Sequence, residues 1–290
     1  MTSKRFAFTK IRRNLVSKAI RLRLVVLCCL VLLLSSCSQV AMTGRKQLNL
    51  VPSSVMNSLS FQSYGEFLSQ NKVSSNTQQI QMVQRVGSRV QKAVEQYCAE
   101  NNLSGQLQGY QWEFNLVEDP SVNAWCMPGG KVVVYTGLLP VTKDETGLAV
   151  VMGHEIAHAI AKHGAERMTH GLIVEFGGMA LSEALVKSPE QTRNLFMKSY
   201  GVGTQYGVLL PYSRVQENEA DRMGLIFMAM AGYDPQAAIS FWERMSTTNK
   251  DKPSPPELLS THPADATRIR NIKSLIPEAM QYYRAAQTIR

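Results

Sequence analysis

Two histidines four positions apart, with a glutamate directly after the first, are the residues of this chain best placed to do chemistry: His154, Glu155 and His158. On an α-helix four residues turn through about 400°, so the two imidazoles project from nearly one face, one turn apart. Together they can grip a single metal ion. Zinc accepts imidazole nitrogen readily, and a coordination position left to water makes such a site catalytic rather than structural. The metal acidifies that water, and Glu155 lies beside the ligands as a base. Val150, Val151, Ile156, Ala157, Ile160 and Ala161 flank the histidines, which predicts a mostly buried helix whose polar groups need partners. A solvated helix face with two ordinary histidines fits that flank poorly.

A third ligand is sought downstream, in Ser213-Arg214-Val215-Gln216-Glu217-Asn218-Glu219-Ala220-Asp221. Ser213 is a plausible cap for a helix starting there. Glu217 and Asp221 share a face, whereas Glu219, about 200° from Glu217, points away. Glu217 can complete a zinc site, with Asp221 holding the free ring nitrogen of a ligand histidine. An acid-rich surface helix pairing with Arg214 or Arg222 satisfies the same spacing.

The elements that must position these residues are legible in outline. Ser53 opens a helix to about Ser69, and Ile80, Val83, Val86, Val90, Val94 and Tyr97 form the apolar stripe of a second. The period then changes to two in Trp112, Phe114 and Leu116, in residues 121–126, and in Lys131–Tyr135 after the Pro128-Gly129-Gly130 turn. This predicts a small antiparallel sheet. Thr142 and Glu145 read as a capping box for the helix of His154, with Gly164 as its stop. Residues 165–210 are helical and rich in Gly and Met; they read either as a helix packed over the core or as a lid or membrane-facing segment. A helix ending at Gly232, another after Asp234-Pro235, a loop over 249–261, a helix over 264–276 and a helical tail complete the chain. The fold class expected is α+β, mostly helical. His163 and His170 are assigned to the surface or to packing.

The net charge of +9 does not signal nucleic acid, because Lys4, Arg5, Lys10, Arg12, Arg13, Lys18, Arg21 and Arg23 sit in an acid-free leader and the remainder is close to neutral. Behind these bases, Leu24 to Leu34 is an apolar run of 11 residues, short of the roughly 20 that a membrane span needs. It reads as a secretory signal. Leu34-Ser35-Ser36-Cys37 resembles the bacterial lipobox, which implies a lipid on Cys37; a plain signal peptide is the other reading. The expected organisation is a signal peptide over 1–36, a lipidated tether with a short strand over 37–52, and a catalytic domain over 53–290. Cys98 and Cys126 are left as either a disulfide of an oxidising compartment or two buried thiols.

Three motifs in order, His154-Glu155-x-x-His158, Ser213-Arg214 with Glu217-x-x-Ala220-Asp221, and Thr261-His262-Pro263 followed by Arg268, resemble the gluzincin zinc metallopeptidases of the CAAX prenyl protease and mitochondrial Oma type, in their bacterial periplasmic lipoprotein branch. The resemblance implies a zincin-like fold and one zinc ion held by His154, His158 and Glu217. It implies Glu155 as general base, Asp221 behind a ligand, and His262 near the metal, as oxyanion stabiliser or zinc cap. It also marks Asn123-Ala124 as an edge-strand motif to which an extended peptide can add. The function so implied is cleavage of unfolded or misfolded envelope proteins in quality control, by an enzyme anchored through lipid at the periplasmic face of the outer membrane. A chaperone-like adaptor lipoprotein with little turnover is the alternative, though a pure binder has no need of Glu155.

Overall fold

The computed structural model describes residues 37–40, 42–202, 213–247, 257–262 and 266–288. The leader over 1–36 and most of the loop over 249–261 lie outside the described residues. Two short strands, β1 (Cys37–Gln39) and β2 (Lys46–Leu48), pair as an antiparallel hairpin. Helices α1 (Ser53–Gln70) and α2 (Thr77–Glu100) follow, then β3 (Glu113–Val117), β4 (Ala124–Met127) and β5 (Lys131–Tyr135). Next come α3 (Glu145–Ile160), α4 (His163–Phe176), α5 (Leu181–Lys187) and α6 (Pro189–Ser199). The chain is completed by α7 (Arg214–Met230), α8 (Ala237–Thr247), α9 (Glu257–Thr261) and α10 (Ala266–Thr288). No described helix is long and apolar enough to cross a membrane.

The α+β class holds, but the sheet is mixed rather than antiparallel. Its order is β3-β5-β4, with β5 antiparallel to β4 and parallel to β3. After β3 the chain crosses to the far edge, lays down β4, and turns back into the middle through Gly129 and Gly130, whose φ angles of +80° and +81° suit glycine. A Cβ on either would strike the ring of Phe61 or Trp112.

All five residues of β5 are buried, because helices cover both faces of the sheet. Val132 and Val134 join the larger core with α2, α3, α7, α8 and α10; Val133 and Tyr135 face a smaller core with α1, α4 and α6. The stripe of α2 is fully buried at Val83, Val86, Val90 and Val94, as its spacing predicts. Trp125 of β4 anchors α1 through an edge contact with Phe67, ring centroids 5.0 Å apart.

Several boundaries differ from expectation. Asp144, not Thr142, caps α3, its carboxylate accepting from Gly147 N at 2.8 Å; Thr142 Oγ1 donates to Leu139 O instead. Gly164 does not stop that helix. The chain turns at Lys162, in the left-handed region with φ 59°, and Gly164 lies inside α4, where a Cβ would meet the Tyr200 ring. The stretch expected to hold one helix after it contains α4, α5 and α6. Residues 227–231, expected as a separate helix, fall largely in the last turn of α7, and α10 runs unbroken through Pro277. Cys98 and Cys126 are two free, buried thiols. The residues read as a tether pack down, with Val40 and Val51 buried in the two cores.

Candidate metal and catalytic site

The site forms where α3 crosses α7, the most extensive helix contact among the described residues. Gly153 and Gly224 make the crossing possible. A Cβ on Gly153 would lie 2.8 Å from Gly224 O, so the two backbones touch at that point. The close approach sets His154 and His158 opposite Glu217 and Asp221. Ser213 fixes the start of α7 with a complete capping box, its side chain meeting Gln216 N and its backbone meeting the Gln216 side chain. The expected cap is therefore observed.

One donor atom from each of His154, His158, Glu217 and His262 lies within 4.8 Å of the others, and all four residues are buried. His154 Nε2 and His158 Nε2 are 3.1 Å apart, and Glu217 reaches them at 3.5 Å and 3.3 Å. His262 Nδ1 is 3.1 Å from His154 Nε2 and 2.8 Å from Glu217 Oε1. A tetrahedral zinc ion with bonds of about 2.0–2.1 Å separates its donors by about 3.3 Å. The cluster has that spacing. Each imidazole, once neutral, offers one acceptor nitrogen, and with the Glu217 carboxylate these lone pairs could be shared by a single metal ion. The donor set, imidazole with one carboxylate, suits zinc.

Charged neighbours define the rest. Asp221 Oδ1 lies 3.1 Å from His154 Nδ1, the ring nitrogen away from the cluster. Arg268 of α10 donates to both Asp221 oxygens at 2.9 Å and 2.7 Å, approaches Glu217 Oε2 at 3.0 Å, and stacks 3.6 Å over the Trp242 ring. Burial opposes the charge of Glu217, but His262, Arg268 and the His154 and His158 contacts hold it well below the usual carboxylate range. Burial and Arg268 pull His154 down, while Asp221 and Glu217 outweigh them and raise it to about 9. Glu155 is raised, chiefly by burial. Its Oε1 has no hydrogen-bond partner among the described residues, the nearest cationic candidate being His262 Nε2 at 3.5 Å.

Asn123 precedes β4, an edge strand of the three-stranded sheet whose four residues are all buried. Its Oδ1 accepts from Ala124 N at 2.9 Å, and its buried Nδ2 meets no acceptor among the described residues. Tyr135 N donates to Asn123 O, so by strand parity Ala124 and Cys126 turn their backbone groups away from β5.

Two residues carry more than sequence reasoning gave them. Arg268, read from sequence only as part of an amphipathic helix and a motif, joins the carboxylate cluster. His163 is neither on the surface nor mere packing: it is fully buried, with Nδ1 2.9 Å from His158 Nδ1 and Nε2 3.1 Å from Glu219 Oε2. On an unbroken helix, five residues from His158 would carry it about 140° around the axis, so spacing gave no signal. His170 is exposed, as expected. Glu219 turns away from the cluster as predicted. Burial opposes its charge, but hydrogen bonds from His163, Thr43 and Arg45 hold it down to about 2.

Comparison with known proteins agrees with this geometry. The mitochondrial metalloendopeptidase OMA1 of Schizosaccharomyces pombe is 39% identical over 169 residues, covering 58% of this chain and 48% of that protein. Its namesake from Saccharomyces cerevisiae is 34% identical over 200 residues, covering 67% and 54%. The beta-barrel assembly-enhancing protease of Escherichia coli is 30% identical over 166 residues, covering 56% and 34%. The chain thus spans about half the length of the two yeast relatives. Their mitochondrial names overturn the expected seat at the periplasmic face of a bacterial outer membrane. The sequence model of peptidase family M48 matches residues 84–276, which include every residue of the cluster; the chain belongs to peptidase family M48.

Proposed function

We propose that the chain is a zinc-dependent endopeptidase that cleaves extended, unfolded or misfolded protein. His154, His158 and Glu217 are its zinc ligands, and Glu155 is its base. The observation that carries this reading is the convergence of four buried donor atoms beside a buried carboxylate oxygen, Glu155 Oε1, that accepts no hydrogen bond among the described residues. When bound, zinc supplies a Lewis acid that acidifies a water and polarises a carbonyl. Asp221 accepts the Nδ1 proton of His154 and so keeps Nε2 free for the metal. Glu155 Oε1 takes a proton from the attacking water and returns it to the leaving amine. Its raised affinity for protons suits a group that must hold one briefly.

The substrate backbone lies along β4. Ala124 C=O and Cys126 N–H face away from β5, where an added strand would pair, and Asn123 Nδ2 donates to a substrate carbonyl. Folded proteins keep their backbone groups paired, so strand addition at β4 selects stretches that have lost their structure. His262 Nδ1 occupies the fourth corner of the donor set. It would cap the metal when no substrate is bound.

Purified protein is expected to contain one zinc per chain and to cleave casein, and a chelator should abolish the cleavage. Glu155→Gln should bind zinc normally and cleave nothing. Cleavage by that variant, or activity indifferent to the chelator, defeats the proposal.

A further inference from the structure

We propose that His163 is a positioning residue for His158, held in turn by Glu219 and by Thr43 and Arg45 of the N-terminal hairpin, so that the hairpin is coupled to the metal centre. The inference rests on the assignment of His158 as a ligand.

A histidine that binds metal through Nε2 carries its proton on Nδ1, and an acceptor for that proton fixes the ring. For His154 the acceptor is Asp221. At His158 the neighbouring nitrogen is His163 Nδ1, 2.9 Å away. An imidazole accepts at Nδ1 when its own proton sits on Nε2. His163 Nε2 faces Glu219 Oε2 at 3.1 Å, and a carboxylate can only accept. Glu219 therefore fixes the tautomer of His163, and His163 fixes that of His158.

Glu219 is itself tied down. Thr43 Oγ1 donates to its Oε1, and Arg45 Nε donates to its Oε2 at 2.7 Å. The other two nitrogens of Arg45 make a bidentate pair with Glu166 of α4 at 2.9 Å and 2.8 Å. Glu166 Oε2 also accepts from Gln216 Nε2 at 2.7 Å, and Gln216 belongs to the capping box that starts α7. One arginine thus spans α4, α7 and the hairpin. Thr43 and Arg45 precede the family match at residues 84–276, so the relay joins a segment outside that span to a ligand inside it.

A polar cluster could also do no more than fasten the hairpin to the helices, and the test separates the two roles. Zinc affinity of the full chain is measured by competition with a chelating dye, together with the visible spectrum of the cobalt-substituted protein and thermal unfolding without metal. His163→Phe keeps the ring's bulk and removes the acceptor. Losing an outer partner of a metal ligand typically weakens binding about 10–100-fold, and that loss is expected here, with an altered cobalt spectrum. His163→Asn places its amide oxygen near the Nδ1 position and should recover most of the affinity. Glu219→Ala, which removes the acceptor at His163 Nε2 and leaves both imidazoles in place, should weaken zinc about tenfold while stoichiometry stays at one per chain. Variants that melt earlier yet bind zinc within twofold of wild type, with an unchanged cobalt spectrum, overturn the proposal in favour of a fastening role. A wild-type chain that takes up no zinc instead overturns the ligand assignment beneath it.

Discussion

Gly224→Ala tests the geometry on which the site depends. A methyl group at position 224 would lie 2.9 Å from Gly153 C, 2.9 Å from His154 N and 3.0 Å from His154 Cα. All three are backbone atoms, so no side chain can turn aside. Carbon atoms in contact prefer about 3.5 Å or more, and the helices must part by roughly 0.5 Å. Replacing glycine by alanine within a helix normally gains about 1 kcal/mol. Forcing an extra methyl into a packed seam costs about 1–3 kcal/mol. The two effects nearly offset, leaving a loss between about zero and 2 kcal/mol, or at most roughly 8 °C in melting temperature.

Zinc affinity is the sharper measure. Metal–ligand distances must hold within about 0.2 Å, and the seam sets the distance between His154 on one helix and Glu217 on the other. A shift of roughly 0.5 Å exceeds that tolerance, so binding should weaken at least about tenfold. Competition with a chelating dye measures it, and scanning fluorimetry follows stability. Gly65→Ala is the control, since among the described residues nothing packs within 4 Å of its Cβ position in α1. Wild-type zinc affinity in Gly224→Ala, or an equal loss in Gly65→Ala, refutes the reasoning.

Other outcomes follow from the same site. Because His154 is raised to about 9, zinc must displace a proton from it at neutral pH; raising the pH removes that competitor. Apparent affinity should therefore climb between pH 6 and 8 by up to about tenfold per unit, and a flat profile in dye competition contradicts the assignment. His262→Ala frees the fourth corner of the donor set and should raise basal casein cleavage; a fall of tenfold or more would assign His262 to the oxyanion instead. Arg268→Ala leaves Asp221 and Glu217 buried without their guanidinium partner, which should cost up to about 3–5 kcal/mol in urea unfolding of the chelated protein. Added zinc should recover part of that loss, and equal stability of variant and wild type in chelator would contradict it.

What could be read in the sequence was whatever a local period encodes. The pairs His154/His158 and Glu217/Asp221 each sit four apart within one helix, so their shared faces followed from helical geometry alone. The buried stripe of α2 and the Ser213 cap were legible for the same reason. Sheet topology was not, because alternation shows that β3, β4 and β5 are strands without showing which lie side by side. That β5 inserts between the other two is decided by the Gly129-Gly130 turn and by apolar residues on both of its faces. The cap of α3 was misplaced by two residues because Thr142 and Asp144 are both good caps; the tight approach of Gly147 to Thr142 O favours the closer one.

The division of labour on α7 shows how one short sequence serves two purposes. Glu217 and Asp221 face the metal cluster, while Glu219, about 200° around the axis from Glu217, faces α4 and the hairpin. On an unbroken α3, residue 163 would lie about 140° around the axis from His158. The left-handed turn at Lys162 reverses this. It folds α4 back so that His163 lies between His158 and Glu219, at hydrogen-bonding distance from each. On the assignment proposed above, alternate residues of α7 would hold the ligand set from opposite sides, Glu217 directly and Glu219 through the imidazole of His163, and the left-handed residue Lys162 is the backbone feature that brings His163 there.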